Sequence, residues 1–284
     1  MIATLATELN LNSTQAEWLE NTQNNVNMRL LPFQIINFLD QNLWRIEAKN
    51  FAQEAIGVLI DGGEVDFVNE IIKDKSFVGT KADCILNALI TQGNNIFRKT
   101  SEAFTKNRSK FKLKFTLINE PSNIADAQTP FPDSNSNGII TIEVNEPEIS
   151  GSNYLDYDKA ILHETIHAEL HRLKIAGNLG PNSMPSEQYN LYMHMWDFYE
   201  EVNSSPNYIA TQSQHYLMAQ YYIDNIAKGL WEFNQFQANM SDYKHLAWEG
   251  LNSYGIQGEF ITQNELDNLS NMYSNVPKNS DPCN

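Results

Sequence analysis

An α+β fold, mostly helical, is the class this 284-residue sequence predicts, and three observations carry the expectation. Apolar residues recur at three- and four-residue spacing over much of residues 1–105, and again over 157–175 and 214–233. Two short stretches, 110–118 and 138–144, instead alternate or run β-branched, as strands do. Pro, Ser, Asn and Gly punctuate the intervening segments, most densely at 119–137 and 177–186, which reads as loops able to rim a cleft.

In chain order, helical patterns cover 33–39, 46–59, 67–72 and 82–104, with breaks at Pro32, Gly62-Gly63 and Gly79. This half carries no repeat and no chemistry-bearing motif, so residues 1–107 are expected to form a helical accessory region. Over 110–118, Phe111, Leu113, Phe115 and Leu117 alternate with lysines, which predicts a strand with one solvated face. Asp133 to Gly138 imitates the start of a calcium loop, but the twelfth position is Val144 where a bidentate acid is needed. A polar turn feeding the strand Ile139 to Val144 is the better reading. Residues 275–284 look like a flexible tail after a second region spanning 108–274.

The chemistry concentrates in His163-Glu164-Thr165-Ile166-His167. Residues four apart on a helix lie one above the other, so the two imidazoles can share one zinc ion while Glu164 takes a proton from water. Asn153, Asp156 and Asp158 offer capping or first-turn acid, and Lys174 with Gly177 marks the end, so 157–175 reads as one helix. Leu162, Ile166, Leu170 and Leu173 form its apolar stripe, with the histidines at the stripe's edge facing a cleft. The bland alternative, histidines that merely sit at a core boundary, leaves the Glu164 spacing without a purpose.

His171 extends the series, but the helix rises about 12 Å between His163 and His171. Zinc–nitrogen bonds are about 2 Å long, so one ion cannot take all three. The third ligand is therefore expected from a different segment: His215 at the start of the helical pattern 214–233 is favoured, with His194, Asp197, Glu200 and Glu201 as the other candidates. Tyr222, Tyr216 and His194 are the residue types available to stabilise an oxyanion.

The segments 161–169, 214–222 and 246–251 together resemble the zincin-type metallopeptidase domains found at the C-termini of bacterial secreted or polymorphic-toxin-type proteins. The resemblance spans roughly residues 80–270, and its one departure is Tyr216, where that family commonly has an acid. It implies a zincin-like core, a small sheet packed on the metal helix, and a zinc-dependent peptidase acting on peptide or protein substrates outside the cell that made it. By the same analogy, the strand over 139–144 would lie at the sheet edge and pair with extended substrate. A cognate inhibitor or immunity protein is a further partner class to look for.

Composition narrows the alternatives. A net charge of −16, with a single modest basic cluster at 98–114, excludes the basic stripe that nucleic acid requires. There is no apolar run near 18 residues and no basic start followed by an apolar core, so neither a membrane span nor a cleavable signal is read, and a cytoplasmic location stays open beside export. Cys84 and Cys283 could form one disulfide in an oxidising compartment, but Cys84 lies in an apolar helical stretch and reads rather as a buried thiol, with Cys283 near a frayed end. Two rival functions remain: a non-catalytic zinc-binding interaction protein, and a carboxylate di-iron helical protein. The second wants another E-x-x-H, which the chain lacks.

Overall fold

The computed structural model describes every residue except 1, 23–24, 27, 93–94, 106–108, 121–124, 134–135, 178–183, 279–280 and 284. Its framework is a five-stranded mixed sheet in the order β1 (Glu64–Asp66), β2 (Ile71–Lys73), β3 (Lys112–Ile118), β5 (Ile139–Asn145), β4 (Ala127–Gln128). The inner strands β2, β3 and β5 run parallel, and β1 and β4 close the two edges antiparallel. Pairing of Leu113 with Ile140 and Phe115 with Ile142 puts those side chains on one face, deep in the larger core.

The opposite face is not solvated as expected. Helices α1 (Ile2–Glu8), α2 (Ser13–Thr22), α3 (Leu31–Gln41) and α4 (Ile46–Asp61) cover it, burying Leu5, Leu19, Ile35, Phe38 and Phe51 with Ile72 and Ile139 of the sheet. The β3 lysines on this side are neutralised where they stand: Lys112 is 1% exposed and pairs with buried Glu70, and Lys114 reaches Glu54 of α4 at 2.7 Å. Alternating lysines thus marked a second buried layer, because each ammonium has its own carboxylate.

Residues 67–72, expected to be helical, form a turn leading into β2, whose three residues are too short to announce themselves by periodicity. β2 pairs with β3 across residue 107, so the expected accessory region contributes two strands to the same sheet as the later half. The pattern over 82–104 resolves into α5 (Lys81–Gln92) and α6 (Asn95–Thr105), which pack with α7 (Glu146–Ile149) and α8 (Tyr154–Ile175) on the other side of the sheet.

The 22-residue α8 is the centre of the molecule. Asn153 and Asp156 build its capping box, and Gly177 follows its end at φ +63°. Instead of one apolar stripe, every residue from Tyr157 to Ala168 is buried, because neighbours enclose the helix on all sides. Asp158 is therefore not a first-turn surface acid: it is wholly buried, neither carboxylate oxygen has a hydrogen-bond partner among the described residues, and burial pushes its pKa well above the usual range.

The rest of the chain wraps this helix with α9 (Ser186–Val202), α10 (Pro206–Tyr221), α11 (Ile223–Phe233), a 3₁₀ turn at Met240–Tyr243, α12 (Lys244–Trp248), α13 (Asn252–Gln257) and α14 (Gln263–Tyr273). Described residues of the expected tail make specific contacts with the rest of the chain. Val276 is buried, Asn234 donates to the Pro277 carbonyl at 2.9 Å, and Asp281 pairs with Lys81 at 3.0 Å. Cys283 is disulfide-bonded to Cys84 with Cα atoms 5.8 Å apart, so the expected free thiol is corrected. Among the described residues, no helix is long and apolar enough to cross a membrane.

Candidate metal centre

One helical turn separates His163 from His167 on α8, and their Nε2 atoms stand 3.1 Å apart. The Nε2 of His215, on α10, lies 3.2 Å from that of His163. His215 sits in the third turn of its helix, not at the start, because 214–233 is the end of α10 followed by α11 after Tyr222. Buried Ile209, Ala210, Ser213, Leu217 and Met218 seat α10 and turn His215 toward α8. No other group of three or more His, Cys, Asp or Glu suited to a metal occurs among the described residues.

The donor set fits a tetrahedral cation. Nitrogens held about 2.0–2.1 Å from one zinc at tetrahedral angles are about 3.3 Å apart, close to the two separations found here. Burial drives the pKa of His163 and His215 well below the imidazole range and that of His167 down to about 4, so all three are neutral with lone pairs to offer. Three such ligands would leave one corner of a tetrahedral ion open, the arrangement found in catalytic zinc sites.

Glu164 stands beside the cluster. Its Oε2 accepts from the Thr129 hydroxyl at 2.8 Å, and burial raises its pKa to about 7 against the opposing pull of Thr129 and Lys159. Behind His167, Gln214 and His171 continue the polar chain: His167 Nδ1 is 2.5 Å from Gln214 Oε1, and Gln214 Nε2 is 3.1 Å from His171 Nδ1. His171 Nε2 in turn is 2.9 Å from the Thr129 carbonyl. The third histidine of the series is thus no ligand, and it faces away from the cluster toward the loop after β4.

A cavity of about 280 Å³ opens onto His163, Glu164 and His215, walled by Asp126, Ala127, Lys159, Glu249 and Gly250. Lys159, one turn before His163, bonds Asp126 at 2.7 Å and Glu249 at 3.1 Å, drawing both walls onto α8. Burial works against the Lys159 ammonium, but Glu249 and Asp126 outweigh it and hold its pKa above the ordinary value. Gly250, at φ +81°, lies against His163, where an added Cβ would come 3.8 Å from Cε1. A larger cavity of about 460 Å³, lined by Asp224, Lys244, Trp248 and Phe260, brings no metal-ligating cluster together.

Several sequence-predicted residues fall elsewhere. His194, Asp197, Glu200 and Glu201 are exposed on α9. Tyr216 packs on Phe260, Tyr222 does not border the metal cavity, and the phenol beside the ligands is Tyr254, whose ring centroid is 5.0 Å from that of His215. The strand over 139–144 is internal, and β4 is the edge that borders the cavity. Of the calcium-like segment, Ser134 and Asn135 lie outside the described residues, and Ser136 to Gly138 form a turn entering β5. Asp126, Thr129 and Lys159 went unread in the sequence, and Gln214 and Glu249 entered it only as members of the resembling segments, without a role. Comparison with protein families, with curated proteins and with solved structures finds no match for this chain.

Proposed function

We propose that this protein is a zinc-dependent metallopeptidase with a zincin-like core, delivered outside the cell that makes it. The observation that carries the reading is the convergence of three imidazole Nε2 atoms from two helices, with a buried carboxyl next to them and a cavity in front. His163, His167 and His215 would hold the ion, which when bound supplies Lewis acidity toward a scissile carbonyl and acidifies water. Glu164 takes the proton of the attacking water on its carboxylate and returns it to the departing amine. A pKa near 7 suits both directions, and the Thr129 hydroxyl holds the carboxylate in place. The outer edge of β4 offers backbone groups to an extended peptide entering the cavity. The Cys84–Cys283 bridge supports an oxidising destination.

A purely structural zinc site is closed by four protein ligands, whereas three converge here among the described residues. An all-histidine cluster also disfavours the carboxylate di-iron alternative. The test is metal analysis together with Glu164→Gln. About one zinc per chain is expected in both proteins, with peptide cleavage reduced by a factor of about 10² or more in the variant. Cleavage that survives in the variant overturns Glu164 as the base.

A further inference from the structure

We infer that Thr129, His171 and Gln214 are positioning residues that fix the tautomer of His167, so that its Nε2 lone pair is aimed at the metal before any metal arrives. A backbone carbonyl can only accept, so the 2.9 Å contact to Thr129 O places a proton on His171 Nε2. Neutral His171 then has a bare Nδ1, which accepts from the Gln214 amide nitrogen at 3.1 Å. This sets the amide's orientation, with its second N–H directed to the Tyr192 hydroxyl at 3.2 Å and its oxygen facing His167 Nδ1 at 2.5 Å. His167 must therefore carry its proton on Nδ1, leaving Nε2 as the free donor.

Reversing the amide breaks the series at both ends. Gln214 would donate to His167 Nδ1 and force the proton onto Nε2, where it blocks ligation. Its oxygen would face His171 Nδ1, which would then need a proton on both ring nitrogens, a cation in a residue only 2% exposed. Thr129 thus anchors both halves of the site: its carbonyl starts the series that ends at His167, and its hydroxyl holds Glu164. His215 has no such anchor, since its buried Nδ1 lacks a hydrogen-bond partner among the described residues.

The inference rests on the metal reading only for its affinity arm, so two measurements separate the two. Nitrogen-15 NMR of the metal-free protein reads tautomers directly, and the expected result is the Nδ1–H form for His167 and the Nε2–H form for His171. Gln214→Leu keeps the volume and removes all three bonds, and should return His167 to a mixture. In competition with a chelator, the same variant should bind zinc about 10- to 100-fold more weakly, with its fold confirmed by circular dichroism. If Gln214→Leu does not fold, Gln214→Met takes its place in both measurements. An Nε2–H tautomer at His167 in the native protein, or unchanged zinc affinity in a folded variant, overturns the inference. Absence of zinc binding in the native protein sinks the metallopeptidase reading but leaves the tautomer result to stand or fall by itself.

Discussion

Cutting the Cys84–Cys283 bridge should cost this protein more than any single surface contact. The bridge spans 199 of the 284 residues of sequence. In the chain-entropy account, closing a loop of that length removes about 5 kcal/mol of denatured-state freedom at 25 °C. The neighbouring Lys81–Asp281 pair is partly exposed and adds less than about 1 kcal/mol. Cys283→Ser should therefore lower the urea midpoint by about 1.5–2 M, taking a slope near 3 kcal/mol per M for a chain of this size. The double variant Cys84→Ser with Cys283→Ser should match the single one, which separates the loss of the bridge from the loss of a sulfur. A midpoint within about 0.3 M of the native value, or two free thiols titrated in the unreduced native protein, would refute the reasoning.

Zinc at a hundred times its dissociation constant should stabilise the native protein by about 2.7 kcal/mol; His215→Ala should abolish most of that gain while exposed His194→Ala keeps it, both read from thermal unfolding with and without zinc. Asp158 has its folded pKa raised by burial above the unfolded value of about 3.8. Its stability contribution is thus complete below about pH 4 and lost as pH rises through the folded pKa. Asp158→Asn should accordingly be more stable than the native protein at pH 8 by more than about 1 kcal/mol, with a smaller difference at pH 4; parallel pH profiles would rule this out. Gly255→Ala brings a Cβ to 2.3 Å from the buried Trp248 ring, which would have to shift, and should destabilise by about 1–3 kcal/mol in chemical denaturation. A neutral result would mean that the ring is mobile.

What the sequence made legible follows from how locally each feature is encoded. The helix of His163 and His167 was readable because its caps and its four-residue spacing are contiguous, and the prediction of 157–175 differs from Tyr154–Ile175 only at the start. His215 was reachable as a candidate because it opens a second apolar-periodic run. The cavity walls were not, since Asp126, Lys159 and Glu249 meet only after three separate segments fold. Charge pattern misled at Lys112 and Lys114, because alternation looks the same whether the polar face meets water or a layer of matched carboxylates. The bridge was open to the sequence but not favoured, for a similar reason: an apolar helix around Cys84 says nothing about a partner 199 residues away.

The pairing of β2 with β3 bears on how the protein can be handled. A fragment beginning at residue 108 would strip the sheet of two strands and leave the β3 backbone unpaired over Ile71's and Lys73's former partners. Raw edges of that kind invite neighbouring chains to dock. Trimming the first hundred residues should therefore give aggregates in place of a smaller folded protein, and expression work is best begun with the intact chain.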